Sequence, residues 1–156
     1  MSYPKSVEIY SREGRLYFQS LTKIIPHGPL ISNDYVAVLD STVENEKVGE
    51  TLLDSLDHSD AKDSYPPGFQ PGGKDFQLLK IMGVKNWNAL AFPDTKVVNC
   101  SLEESSYVFI PTKANRVGKR AKGFSFKGED SHLKLSPDSS VGILGKTIRE
   151  AFERSE

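Results

Sequence analysis

The chain repeats itself. Val48-Gly-Glu-Thr-Leu-Leu-Asp-Ser-Leu-Asp-His-Ser59 lies over Leu144-Gly-Lys-Thr-Ile-Arg-Glu-Ala-Phe-Glu-Arg-Ser155 at a constant offset of 96, with identity at the glycine, the threonine and the final serine and conservative matches at four more positions. In the first copy Val48, Leu52 and Leu56 recur at four-residue spacing, the mark of an amphipathic helix with one face to bury. The spacing predicts helices over about 43–59 and 138–154. A glycine inside a helix costs roughly 0.5–1 kcal/mol relative to alanine. Its presence in both copies predicts a close approach, expected to be of helix to sheet. Ser41 and Glu44 have capping-box spacing ahead of the first helix, and Ser136-Pro137-Asp138 reads as the start of the second.

Around these helices the pattern is that of strands. Ser6–Tyr10 and Arg15–Gln19 form a hairpin pattern about Glu13-Gly14, and Tyr35–Leu39 is a short apolar run ahead of the first helix. Further strands are expected at 96–103, 106–112, 122–127 and 131–136, and a short helix at 75–82 closed by Gly83. Residues 60–74 hold three prolines and three glycines and read as an exposed connection. The expected fold is α+β: a single domain over 1–156 of two β-rich halves, about 1–60 and 75–156, each followed by an amphipathic helix and related by an approximate internal twofold.

Several chemistries are excluded. Cys100 is the single cysteine, and His27, His58 and His132 lie far apart, so neither a disulfide framework nor a thiolate metal cluster is available; no metal and no cofactor are expected. Cys100, between Val98 and Leu102, reads as a small buried side chain, and His58 as a cation complementing the dipole at the end of the first helix. His132 is expected to project from a strand. Gly68-Phe-Gln-Pro-Gly-Gly-Lys-Asp75 approaches a phosphate-binding loop, but Asp75 stands where a magnesium-ligating hydroxyl is needed and no apolar strand precedes it, so a turn is expected. Trp87, Tyr65 and Phe69 are either core residues or interface anchors. No apolar run approaches the roughly 20 residues of a membrane-spanning helix, and the first residues lack a signal peptide. A cytoplasmic protein with no membrane partner is the expectation.

The overall charge of −1 conceals two poles. Residues 34–63 carry nine acids against Lys47 and Lys62, while 113–127 carry six bases and no acid. On the first helix Glu46, Glu50, Asp54 and Asp57 share a face, followed by Asp60 and Asp63. Like charges at i,i+4 disfavour the helix, and acids near its carbonyl end oppose the dipole. The second copy offers opposite-charge pairs at that spacing: Lys146 with Glu150, Arg149 with Glu153, and Glu150 with Arg154. An acidic face kept against local stability suits docking of a basic protein. A second reading takes Lys113, Arg116, Lys119, Arg120 and Lys122, with Phe124 and Phe126 on the same tract, as a nucleic-acid-binding strip. The bland alternative is a solvated hairpin with both phenylalanines facing the core.

The two glycine-bearing helices, the tract Tyr107-Val-Phe-Ile-Pro-Thr-Lys113 and the terminal Val141–Ser155 together resemble the immunity proteins of bacterial contact-dependent growth inhibition systems, over about 35–156. The resemblance implies a cytoplasmic protein without enzymatic activity that binds the cognate C-terminal toxin domain of a large surface effector, as a 1:1 heterocomplex, and blocks it. In such families the toxin is commonly a nuclease, whose phosphate-binding surfaces are basic. Nucleic acid is then not the expected partner. The toxin-binding assignment of Glu46, Glu50, Asp54, Asp57, Asp60 and Asp63 rests on charge alone.

Overall fold

The computed structural model describes residues 3–69, 77–92, 94–118 and 120–156, with only the backbone of Ala121 and Lys122. β1 (Lys5–Arg12) and β2 (Arg15–Ile24) form the expected hairpin. Glu13 and Gly14 at its turn both have positive φ, 49° and 78°, the combination a two-residue turn needs to match strand twist. β3 (Leu30–Asp40) pairs with β2 and leads into α1 (Asn45–Asp57). After β4 (Asp60–Lys62) come α2 (Gln77–Met82) and α3 (Trp87–Leu90). β5 (Lys96–Leu102), β6 (Tyr107–Val117), β7 (Arg120–Phe126), β8 (Leu133–Leu135) and α4 (Val141–Arg154) complete the order.

The strands form one mixed sheet in the order β3-β2-β1-β5-β6-β7, with β8 beside β6 and β4 beside β2. Every pairing is antiparallel except β2 with β4. The expected halves therefore share a sheet, joined where β1 pairs with β5. Alternation along each strand divides its side chains between two cores. On one face Val7, Ile9, Phe18, Val98, Cys100 and Phe109 pack against Val48, Leu52 and Leu56 of α1 and Leu144, Ile148 and Ala151 of α4. On the other, Tyr10, Tyr17 and Val97 meet Leu78 and Leu79 of α2 and Leu90 of α3. Cys100 is fully buried, which pushes its thiol far above the ordinary range.

The structure relocates the close approach expected at the shared glycine. A Cβ on Gly49 would stand 1.9 Å from the carbonyl oxygen of Val141, and a Cβ on Gly145 2.0 Å from that of Asn45. Asn45 and Val141 are the first residues of α1 and α4. The approach is thus of helix to helix, and each glycine admits the opening turn of the other helix.

Other local expectations need correction. Glu44 is itself the N-cap of α1, with extended φ and ψ and no side-chain cap, so Ser41 and Glu44 form no capping box. The Asp40 carboxylate instead accepts from the Thr42 amide and hydroxyl, which lowers its pKa. α4 starts three residues later than expected, because Ser140 accepts from the Ile143 amide as its N-cap and Pro137 lies in the preceding turn. His132 ends a short 3-10 turn, its Nε2 3.0 Å from the Lys127 carbonyl, rather than projecting from β8. The 60–74 connection begins as strand β4, whose exposed residues are held through the backbone. The phosphate-loop-like tract lies mostly outside the described residues. Gly83 closes α2 with φ 73° as expected, while Asp75, where that helix was expected to begin, lies outside.

Gly49→Ala and Gly145→Ala should each cost about 3 kcal/mol or more, since a helix backbone cannot yield as a side chain can. Gly142→Ala should stay within about 1 kcal/mol of wild type, because its Cβ would meet only the Glu46 carboxylate, at 3.1 Å. Urea unfolding of the three variants checks both statements.

Candidate functional site

α1 buries Val48, Gly49, Thr51, Leu52, Ser55 and Leu56. Two of these are polar, and each hydroxyl turns back onto its own helix: Thr51 donates to the Lys47 carbonyl at 2.8 Å and Ser55 to that of Thr51 at 2.7 Å. The opposite face carries Glu46, Glu50, Asp54 and Asp57, all exposed, and Asp60 and Asp63 continue exposed beyond it. Among the described residues the four helix carboxylates make no hydrogen bond or ion pair within the protein. Asp60 accepts from the Thr22 hydroxyl. No basic residue lies in the last turn of α1, so the negative end of the helix dipole adds to Asp54 and Asp57. The field of Asp57 joins burial and Cys100 in raising the Tyr107 phenol.

Both ends of this helix are tied down. Arg149 of α4 donates to the Asn45 side chain at 2.7 Å, to the Ser41 carbonyl at 2.9 Å and to the Val43 carbonyl. At the other end the Asn33 amide donates to the His58 carbonyl at 3.0 Å. The His58 ring stacks on Tyr35, with centroids 3.8 Å apart and planes inclined by 13°, and its Nδ1 lies 2.8 Å from the Asp54 carbonyl. His58 thus stands at the helix end expected of it, but what it contributes there is a ring stacked on Tyr35 and an Nδ1 contact to its own helix, not a charge set against the dipole.

The charge pairs expected along α4 do not close among the described residues. Arg149 crosses to α1 and Arg154 donates to the Ser131 carbonyl at 3.1 Å. A surface i,i+4 pair is worth only about 0.3–0.5 kcal/mol, less than leaving part-buried loop carbonyls unmatched. The contrast between the helices therefore lies in the use of Arg149, not in local neutralisation.

The basic strip is interrupted. Arg116 donates to the Ala91 carbonyl at 2.7 and 2.9 Å and to that of Thr95 at 3.1 Å, with its guanidinium 5.7 Å from the Phe92 ring centre. It ties β6 to the segment after α3 and is not offered to a partner. Lys113 and Arg120 are exposed; Lys119 and the Lys122 side chain lie outside the described residues. Phe124 packs against the second core, but Phe126 is 61% exposed, so the alternative of a hairpin with both phenylalanines facing the core holds for Phe124 alone. Trp87 packs against the second core, whereas Tyr65, 48% exposed, stacks on Phe69.

Sequence reasoning passed over two groups. Asn33 and Tyr35 act on α1 only through the fold. Gln19, fully buried, donates to the Ser20, Asn33 and Tyr35 carbonyls at 2.8, 2.9 and 3.2 Å where the register of β2 with β3 shifts. Opposite it in register stands Glu8, accepting from the Tyr10 hydroxyl at 2.6 Å. Burial raises the pKa of Glu8 despite that hydrogen bond. No three of the described His, Cys, Asp or Glu residues converge as metal ligands, and no described helix is long and apolar enough to cross a membrane.

The family model CdiI, described as CDI immunity protein, matches residues 6–155. No curated protein matches by sequence. Among solved structures, a protein of unknown function from Neisseria meningitidis is similar at TM-score 0.75 and 19% identity, with all of both chains covered. A chain of the CdiA-CT/CdiI toxin and immunity complex from Yersinia pseudotuberculosis is similar at TM-score 0.71 and 16% identity, with 99% of each chain covered. At these identities both likenesses are of fold.

Glu8 supplies a test of the second face. A carboxyl whose folded pKa is raised contributes stability below its unfolded value, near 4.5, which is lost as pH rises through the folded value. Glu8→Gln should therefore gain stability over wild type at pH 7 and lose that advantage toward pH 4, as read by thermal unfolding at the two pH values.

Proposed function

The chain belongs to the CdiI family of CDI immunity proteins, and from that premise we propose that it meets its toxin with the acidic face of α1. As a family member it is an immunity protein that neutralises the toxin of a contact-dependent growth inhibition system, and the cognate toxin is its partner. The observation that carries the proposed surface is the absence of structural work for its charges. Glu46, Glu50, Asp54 and Asp57 are exposed and, among the described residues, hold nothing in the fold. Asp54 and Asp57 also oppose the dipole at the carbonyl end of their helix. A basic surface, such as the phosphate-binding face of a nuclease, is the matching partner. The protein acts by occupying that face in a 1:1 complex in the cytoplasm, without turnover and without a cofactor, and Asp60 and Asp63 extend the surface. The nucleic-acid reading loses support because Arg116 is committed to backbone carbonyls.

The scaffold behind this surface reads as one domain made of a strand–strand–strand–helix unit used twice, β1-β2-β3-α1 and β5-β6-β8-α4, about an approximate twofold between β1 and β5. Three features support it. β1 and β5 are antiparallel neighbours, Leu39 and Leu135 occupy corresponding strand ends, and the Gly49–Val141 contact is returned by Gly145–Asn45 at the same offset of 96.

Co-expression with the toxin encoded beside this protein should restore growth; a folded protein that fails to do so ends the immunity reading. The quadruple variant E46Q/E50Q/D54N/D57N should fold at least as stably as wild type and associate more slowly with the toxin. Its association rate should also depend less steeply on salt, because rim charges act mainly on encounter. Unchanged kinetics and salt dependence would move the surface away from α1.

A further inference from the structure

We propose that the stacked Tyr35–His58 pair at the carbonyl end of α1 is an anchor subsite for an arginine side chain of the toxin. The inference rests on the immunity reading and adds to it the kind of residue that is received. The Asp54 carbonyl can only accept, so the His58 Nδ1 beside it, at 2.8 Å, carries the ring proton. In the neutral imidazole that tautomer leaves Nε2 as an acceptor. Nε2 has no partner among the described residues, and His58 is exposed while Tyr35 beneath it is half-buried.

The ring cannot swing freely. Its rear face is stacked on Tyr35, its carbonyl is held by the Asn33 amide, and that amide also donates to the Ser20 hydroxyl at 3.1 Å. Holding the ring in advance removes part of the ordering cost of binding. The ring thus offers an imidazole acceptor and a flat π face on the last turn of a helix that also carries the exposed Asp54, one turn back, and Asp57, its chain neighbour, with no cation in that turn. A guanidinium is planar, presents five donors in a fixed fork, stacks on rings and is more weakly hydrated than an ammonium. It satisfies every element of this surface, whereas an ammonium would use the charge and leave the flat face unfilled. Aromatic and arginine pairs of this kind concentrate binding energy at protein interfaces.

The test measures binding of the purified cognate toxin domain to the full chain. His58→Lys keeps an exposed side chain of similar reach but places a donor and a charge where an acceptor stood, and should weaken binding about tenfold or more. His58→Gln, which offers an amide oxygen, should stay closer to wild type. Alanine replacement of each toxin arginine should find one whose loss is non-additive with His58→Lys by about fivefold or more. Thermal unfolding should show both His58 variants folded at the temperature of the binding assay, and because both lose the stack on Tyr35, the difference between Lys and Gln reads the acceptor rather than stability. Wild-type binding that His58→Lys leaves unchanged, or a scan in which no arginine couples, overturns the subsite and leaves the immunity reading standing. A wild-type chain that does not bind the toxin overturns both.

Discussion

Everything on the helical face depends on two backbones touching. Gly49 and Gly145 let α1 and α4 meet at each other's first residue, a distance that any Cβ would forbid. With the helices this close, Val48, Leu52, Leu144 and Ile148 can all reach the same stretch of sheet and are fully buried there. Interiors packed to crystal-like density leave no slack for a wider crossing. The helix propensity lost at the two glycines is small beside the apolar burial that their absence of side chains permits.

The same crossing sets the geometry of the acidic surface. α1 is placed by its neighbours: Arg149 grips the turn that precedes it, and Asn33 and Tyr35 of β3 hold its end. A short helix with like charges along one face would be marginal alone. Its tertiary contacts carry the burden, so its outward residues need not favour the helix at all. The second core, under α2 and α3, reinforces the sheet from behind, and Arg116 binds the β6–β7 hairpin to that side through the Ala91 and Thr95 carbonyls.

Features governed by neighbours in the chain were legible in the sequence. Glu13-Gly14 announced a two-residue turn, Gly83 the end of α2, and the four-residue spacing of Val48, Leu52 and Leu56 both the helix and, by subtraction, its exposed acids. Features governed by distant partners were not. The shared glycine was readable as a close approach, yet no local pattern distinguishes a helix from a sheet as the body approached. Arg149 had attractive carboxylates one turn away and went instead to carbonyls across the crossing. Asp60-Ala-Lys62 has the composition of a loop and forms a strand because β2 offers it backbone partners. The Tyr35–His58 stack joins a strand to a helix end and leaves no spacing to find.

The division of tasks on α1 has an evolutionary consequence. Its inward residues answer to the crossing and the sheet, while the outward carboxylates make no hydrogen bond or ion pair among the described residues. Changes at positions 46, 50, 54 and 57 leave the buried face of α1 untouched, so a lineage that meets its toxin there, as proposed, can follow a changing adversary by rewriting one side of a helix while its architecture stands still. The glycines enjoy no such freedom. Divergence among relatives that keep this fold should therefore gather on the exposed side of α1 and stop at the seam with α4.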